Sequence, residues 1–383
     1  MKFRYTCLGL LLLSLSLVAC EKVPENDTVN VSSVSSVVKI HTDKQLEIIN
    51  HANPDEFMGN QSTIYGLRSW SKPNGVHVTW NEDNVEGVSA STYKVYLADN
   101  PSFTDPVIYQ TDKQEVDFYN LKLTGTYYYK VIAEYSKASF ESEVKHFTVE
   151  DVAPRNIHID GLENVRDLGG WNIGEGKIYK QGLIYRSVQF NYGGINSYKR
   201  SPTEYGLWQI KNELKIHTDI DLRKTKSFCG EDEVNGITSS PLGNDVKYVS
   251  APMKYDGVNP FTNAINKNSM QLVFNTLADA SNYPVVFHCL RGTDRTGAIA
   301  YMLGALVGMS EKDLMLDYLF SDLANINGMV RASTISGEDF YVQGIANSEG
   351  DTLSIKAMNY LHNTCDVPLA TIEQVIGNLT ANI

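Results

Sequence analysis

The stretch VVFHCLRGTDRTG, residues 285–297, is the most informative part of this 383-residue chain about its architecture. An apolar run ends at Cys289, a short segment holds Gly292, and a second apolar run follows Arg295. The first run has the length of a buried strand, and the second has the length of a helix. The stretch therefore predicts a strand, a tight loop and a helix N-terminus in direct succession.

This arrangement carries a specific chemistry. Loop N–H groups and a helix N-terminus together form a cradle for a dianion, and the same field favours a thiolate at Cys289. Arg295 offers a planar fork of donors to two phosphoryl oxygens, and Gly292 allows turns that other residues resist. Thr296 can hydrogen-bond the sulfur as a leaving group, and His288 is expected to support the loop from behind.

Two other interpretations of the stretch are weaker. A buried, inert cysteine at a strand end would not need glycine, arginine and a helix start at these positions. A rhodanese-like sulfur-transfer loop also places a cysteine after a strand, but it does not require an arginine six residues later followed by a threonine.

The segment HCLRGTDRTG resembles the phosphate-binding loop of the cysteine-dependent protein tyrosine phosphatases. The nearest branch is the bacterial tyrosine/dual-specificity group, whose loop reads His-Cys-x-x-Gly-Lys-Asp-Arg-Thr-Gly. Further motifs of that branch match NVRDLGG (164–170), LIYRS (183–187), IDLR (220–223) and GMSEKDLMLDYLFS (308–321). The resemblance implies that residues 151–383 form an α/β phosphatase domain with a largely parallel central sheet flanked by helices.

The same resemblance assigns the site. Cys289 would attack phosphorus to form a phosphocysteine, and no metal or cofactor would be needed. Arg295 would hold and neutralise the transferred group. The phosphate-binding loop would comprise Leu290, Arg291, Gly292, Thr293, Asp294 and Arg295.

The sequence departs from the family pattern in two places. Thr293 stands where the family usually has lysine, and Arg291 adds a positive charge two residues earlier. The acid often found soon after IDLR is absent, since KTKSF follows. The missing lysine argues against a lipid substrate, although Arg291 could compensate.

A general acid must protonate the leaving oxygen. Asp294, inside the loop, matches an aspartate of this branch and is our first choice. Asp256, in MKYDGVNP, lies where dual-specificity phosphatases place their acid and is the second.

Three functions follow from these residues. A phosphatase acting on phosphotyrosine in proteins or peptides, with phosphoserine or phosphothreonine as further targets, is the leading prediction. A phosphatase of inositol phosphates or phosphoinositides is the alternative within the same class. The competing class is a non-catalytic surface protein that captures phosphorylated ligands.

Residues 62–150 have the period-two pattern of an antiparallel β-sandwich, as in VHVTW, TYKVYL and GTYYYKVIAEY. The stretch resembles a fibronectin type III domain, because Trp80 matches the core tryptophan of its second strand and LKLTGTYYYKV the approach to its sixth. We expect a rigid spacer or a module that binds a protein or glycan.

The first twenty residues have the pattern of an export signal. A positive head and a thirteen-residue apolar run end in Leu-Val-Ala-Cys, which resembles a bacterial lipobox with Cys20 as the lipidated residue. A plain secretory signal is the alternative. We expect an exported lipoprotein anchored to a membrane, facing the periplasm or the cell surface, with residues 21–61 as a tether.

Composition excludes some functions. The formal net charge of −12 and the lack of a basic run argue against nucleic-acid binding. No set of residues has recognised metal-ligand spacing, so we predict no metal site. Beyond the signal segment three cysteines remain, an odd number that implies no disulfide framework.

Overall fold

The computed structural model describes residues 27–59, 68–84, 87–191, 201–255, 260–325 and 341–383. Within these ranges no helix is both long enough and apolar enough to cross a membrane. Cys20 and Asp256, two residues singled out in the sequence, lie outside the described ranges.

The N-terminal part is built from two β-sheets that share one core. Its strands are β1 Val29–Val31, β2 Val37–Val38, β3 Val76–Glu82, β4 Thr92–Ala98, β5 Val107–Thr111, β6 Glu115–Phe118, β7 Thr126–Glu134, β8 Ser139–Glu141 and β9 Lys145–Val149. One sheet has the order β1-β3-β6, and the other has the order β2-β9-β7-β4-β5, with β8 paired to β7.

Alternation along the strands explains this core. In β4 the side chains of Tyr93, Val95 and Leu97 are buried while those between them are more exposed. Trp80 is only 5% exposed and packs its ring against Tyr93. The sandwich predicted from the period-two pattern is therefore present as two sheets over a shared apolar interior.

Residues 29–49, which we term the strap, do not form the tether that their polar composition suggested. Strand β1 pairs with β3, and β2 pairs with β9, so both complete the sandwich. Helix α1, Asp43–Ile49, begins at a Thr42 capping box and buries Ile48 in the core of the following domain. Scattered valines and isoleucines in a serine-rich context are a weak strand and core signal.

The C-terminal part is an α/β domain. Its strands are β10 Arg155–Asn156, β11 Arg166–Asp167, β12 Lys177–Tyr179, β13 Ile184–Ser187, β14 Thr218–Asp221, β15 Lys247–Ser250, β16 Val285–His288 and β17 Thr380–Asn382. The helices after α1 are α2 Pro54–Gly59, α3 Glu204–Gln209, α4 Lys226–Cys229, α5 Lys267–Ala278, α6 Asp294–Val307, α7 Glu311–Leu319, α8 Tyr341–Ala346, α9 Leu353–Asn359 and α10 Leu369–Leu379.

The central sheet has the order β10-β11-β13-β16-β14-β15. Strands β13, β16, β14 and β15 run parallel, whereas β10 and β11 add an antiparallel edge. Because β16 lies inside the sheet with both faces covered, its four residues are all buried. The carboxyl end of β16 is therefore a fixed point from which the loop after it departs.

A polar seam joins the two domains. Glu213 accepts hydrogen bonds from Tyr109 (3.0 Å) and Asn120 (2.5 Å) of the sandwich. Arg155, fully buried, donates to the Leu121 carbonyl oxygen at 2.8 Å. Burial raises the pKa of Glu213 to about 7, although its three hydrogen-bond donors lower it.

Candidate active site

The predicted strand, loop and helix are all present at residues 285–297. Strand β16 ends at His288, and helix α6 begins at Asp294. Gly292 has a φ of 70°, and a Cβ there would lie 2.4 Å from the Ser187 carbonyl oxygen. Only glycine satisfies both the positive φ and this close approach to β13.

The loop backbone is held from its outer side. Asn164 Nδ2 donates to the carbonyl oxygens of Arg291 (2.9 Å) and Gly292 (3.2 Å). The Arg186 guanidinium donates to the Gly292 oxygen at 2.8 Å. Since each peptide is planar and trans, carbonyls drawn outward direct the following N–H groups inward. The N–H groups of Gly292 and Thr293, which follow these carbonyls, are therefore directed into the loop before any anion arrives.

Asp317 on α7 fixes the two arginines beneath this loop. Its carboxylate bonds Arg166 Nε at 3.1 Å and Arg186 at 2.5 Å, and both guanidiniums are fully buried. Burial alone would raise the pKa of Asp317, but Arg186 and Arg166 hold it below its usual value. Three family motifs that are far apart in sequence therefore meet in one charged cluster.

Cys289 lies at the centre of the loop and is only 3% exposed. Burial would raise the pKa of its thiol, yet Arg295 and the hydroxyl and backbone N–H of Thr296 outweigh burial and lower it. A lowered pKa increases the thiolate fraction, and the thiolate is the nucleophile. The roles predicted for Arg295 and Thr296 thus have a physical basis in the site.

Arg295 projects from the first turn of α6 and is 5% exposed. One terminal nitrogen donates to Glu233 at 2.5 Å and to the Leu222 and Met253 carbonyl oxygens at 3.3 and 3.4 Å. The other terminal nitrogen donates to Glu233 at 3.4 Å. Sequence reasoning missed Glu233; the acidic run Glu-Asp-Glu at 231–233 was the available signal.

His288 is fully buried beside the start of the loop. Its Nε2 lies 3.1 Å from an Asp219 oxygen, and its Nδ1 lies 3.3 Å from the Cys289 carbonyl oxygen. Burial would lower the pKa of His288, but Asp221 and Asp219 raise it above the usual value. Asp221 itself binds Arg223, and its pKa is lowered to about 2 because His288 and Arg223 outweigh burial.

The remaining loop residues fall into two groups. Leu290 and Arg291 are partly exposed at the rim of the loop, whereas the Thr293 side chain is fully buried. Asp294 is 8% exposed and accepts a hydrogen bond from the Thr293 hydroxyl at 3.1 Å. Asp294 is therefore adjacent to the site, while its competitor Asp256 lies outside the described residues.

A search of the described ranges for three or more clustered His, Cys, Asp or Glu side chains able to hold a metal ion finds none. His217, Asp219 and Asp221 alternate on or beside β14, and the two aspartates are engaged with His288, Ser240 and Arg223.

Comparison with solved structures returns yeast phosphatase domains. The core catalytic domain of the PP-IP phosphatase Siw14 from S. cerevisiae, in complex with citrate, is 15% identical with a TM-score of 0.27, covering 48% of this chain and 89% of that one. A second Siw14 catalytic core is 16% identical with a TM-score of 0.25, covering 47% of this chain and 94% of that one.

Comparison with curated proteins returns a Cupriavidus necator protein named as a tyrosine-protein phosphatase. It is 25% identical over 194 residues, which span 44% of this chain and 64% of that protein, just under two thirds of its length. The family model described as the tyrosine phosphatase family matches residues 157–381, more than half of the chain and the whole of the site. The chain therefore belongs to the tyrosine phosphatase family.

Proposed function

We propose that this protein hydrolyses phosphotyrosine in proteins or peptides through a phosphocysteine on Cys289. The observation that carries the proposal is the state of Cys289, a buried thiol whose pKa is lowered by Arg295 and Thr296, at the start of a loop whose Arg291 and Gly292 carbonyls are held by Asn164. An activated thiolate within an anion cradle suits attack on phosphorus.

The reaction has two steps. The Cys289 sulfur attacks phosphorus, the P–O bond to the tyrosine breaks, and an aspartic acid supplies the proton to the leaving oxygen. Water then attacks phosphorus, the aspartate accepts its proton, and the P–S bond breaks to release phosphate. Arg295 and the loop amides hold the three phosphoryl oxygens in both steps.

An inositol phosphate or phosphoinositide is the second candidate substrate. Arg291 favours it, because this cation lies at the partly exposed rim of the loop, where further phosphate groups of a polyphosphorylated ring would approach. The buried Thr293 leaves the position of the family lysine without charge, which favours phosphotyrosine.

Phosphate release by a fragment beginning at residue 21 tests the function. Phosphotyrosine peptide, phosphoserine peptide, inositol phosphates and phosphoinositides are compared, with Cys289→Ser as the matched control. Turnover of phosphotyrosine that disappears in the variant supports the leading proposal. Turnover of only the inositol compounds supports the second candidate substrate instead. Binding of phosphorylated ligands without turnover by the wild type supports the capture protein.

The general acid is either Asp256 or Asp294, and their asparagine variants distinguish them. The alkaline limb of the pH–rate profile reports the loss of the proton from the general acid. Removing the acid should therefore lower kcat least at high pH, where the wild-type acid has already lost that proton. The variant that lacks this limb identifies the acid, and the other variant retains the limb.

We further propose that Cys20 carries a lipid anchor and that the sandwich is of the fibronectin type III kind. The lipobox-like Leu-Val-Ala-Cys at 17–20 supports the anchor. Since Asp27 is already ordered against Tyr135, the chain from Cys20 spans at most about 25 Å, and the sandwich lies close to the membrane. Loss of palmitate labelling and of membrane fractionation in Cys20→Ala tests the anchor.

A further inference from the structure

The segment after IDLR differs from the pattern of the family and contains the nearest acid to Arg295. KTKSF replaces the expected acid, the chain forms helix α4, and an acidic run follows at 231–233. The last of these acids, Glu233, returns to the phosphate-binding loop and pairs with Arg295. An acid ten residues beyond Arg223 thus reaches the site by a longer route.

The two guanidinium edges of Arg295 are used differently. Both terminal nitrogens bond Glu233, at 2.5 and 3.4 Å, so the carboxylate occupies the end of the fork. The Nε atom is buried and has no partner among the described residues. Nε and the adjacent terminal nitrogen form the other edge of the planar group, which remains for two oxygens of a phosphoryl group.

Glu233 is itself fixed. Its carboxylate accepts a hydrogen bond from the Lys224 backbone N–H at 2.8 Å, and its own N–H donates to the Lys224 carbonyl oxygen at 2.9 Å. Its side chain is 15% exposed, so water competes weakly for the carboxylate. The Glu233 carboxylate therefore has a fixed position that limits the movement of the Arg295 guanidinium.

Resting on the proposed phosphatase function, we infer that Glu233 is the positioning residue for Arg295, holding the guanidinium end so that its Nε edge faces the phosphoryl group. The Glu233 carboxylate is already engaged by Arg295 and by the Lys224 backbone, so we assign it no part in proton transfer. Its contribution is orientation: without it the guanidinium rotates among the Leu222 and Met253 carbonyls, and the fork no longer meets two oxygens together.

Glu233→Ala and Glu233→Gln test this role, with Glu231→Gln as the matched control. Glu231 is more than half exposed and contacts the Lys224 ammonium rather than Arg295. For a small aryl phosphate we expect kcat/KM to fall roughly 30- to 100-fold in the alanine variant and less in the glutamine variant, which can still accept a hydrogen bond. The dissociation constant for inorganic phosphate should rise about tenfold in the alanine variant. Glu231→Gln should change neither.

The pH dependence of Cys289 alkylation by iodoacetamide separates positioning from simple damage. In Glu233→Ala the guanidinium changes orientation among the Leu222 and Met253 carbonyls but stays close to the sulfur, so the thiolate should form at the same pH or lower. A collapsed loop would instead move thiolate formation to higher pH. That upward shift, or unchanged phosphate affinity in Glu233→Ala, would overturn the inference.

The same measurements distinguish a wrong positioning role for Glu233 from a wrong proposed function. If the wild type turns over no phosphate ester, phosphate binding and Cys289 alkylation still report on Arg295. Weaker phosphate binding in Glu233→Ala then keeps the positioning role for a capture protein, and equal binding in wild type and variant removes it.

Discussion

Cys289 and Cys365 are buried to the same degree but have opposite acid strengths. Cys289 is 3% exposed and has a lowered pKa, whereas Cys365 is 1% exposed and has a pKa raised to about 11. Burial raises the pKa of both thiols. Around Cys365 it prevails over a Tyr360 hydrogen bond and the more distant charge of Lys267.

The comparison shows that the surroundings, rather than the exposure, make a cysteine reactive. Cys289 has a fixed guanidinium and the start of a helix beside it, and the helix N-terminus adds a positive partial charge. Cys365 follows the end of a helical segment, Tyr360–Thr364, and its neighbouring cation Lys267 is paired with Asp366. One residue type thus has a lowered thiol pKa in one place and a raised one in the other.

The largest expected effect comes from Arg295→Lys, which removes the planar fork at Cys289 but keeps a positive charge. We expect kcat/KM for phosphotyrosine peptide to fall about 1,000-fold or more, because an ammonium cannot hold two phosphoryl oxygens in the same geometry. Steady-state kinetics measure the change, with Arg291→Lys at the loop rim as the control. A loss below tenfold would show that charge alone sustains the reaction.

Asp317→Asn removes the carboxylate that holds Arg166 and Arg186 beneath the Cys289 loop. Replacing the carboxylate leaves Arg166 and Arg186 buried without a counter-charge, and we expect the free energy of unfolding to fall by about 3 to 4 kcal/mol. The control is Asp366→Asn beside Cys365, where the partly exposed pair with Lys267 should contribute less than about 1 kcal/mol. Urea unfolding measures both, and equal losses would contradict the distinction.

Glu213 extends the comparison to a carboxyl group, because, like Cys365, it is buried among neutral hydrogen-bond partners. Its pKa is raised to about 7, so the folded protein retains the proton after the unfolded chain has released it. Stability is therefore expected to fall between about pH 4.5 and pH 7, by about 3 kcal/mol in total, because each pKa unit corresponds to about 1.4 kcal/mol.

Glu213→Gln removes this titration. The unfolding free energies of wild type and variant, measured from pH 5 to pH 8, should diverge with rising pH in favour of the variant. A constant difference across this range would show that Glu213 ionises normally in the seam.

Thr296→Val is expected to have the smallest of these effects on the Cys289 site. It removes the hydroxyl that helps to stabilise the Cys289 thiolate while keeping the side-chain shape. We expect the pKa of Cys289 to rise by about one unit, equivalent to about 1.4 kcal/mol. The pH profile of iodoacetamide alkylation detects this shift, and Thr293→Val provides a control at another buried hydroxyl of the loop.

The sequence predicted the strand, loop and helix of residues 285–297, because strand, glycine, arginine and helix start follow one another and local patterns determine them. It did not predict that Asn164, Arg186 and Asp317 converge on the loop, since their contact depends on β11, β13 and α7 being neighbours in space. The sequence did not predict the contact of Glu233 with Arg295 for a related reason, because its distance from Arg223 in sequence does not indicate that contact.

The strap is synthesised before either of the surfaces that it covers. Its His41 bonds Glu150, 109 residues later, and Ile48 enters a core that includes residues near the C-terminus, such as Leu379. During translation β1 and β2 therefore stay unpaired until β3 and β9 have been made, and α1 docks only after the α/β domain has formed. The first described segment of the chain thus completes two cores at once, and we expect the two domains to unfold in a single cooperative transition rather than one after the other.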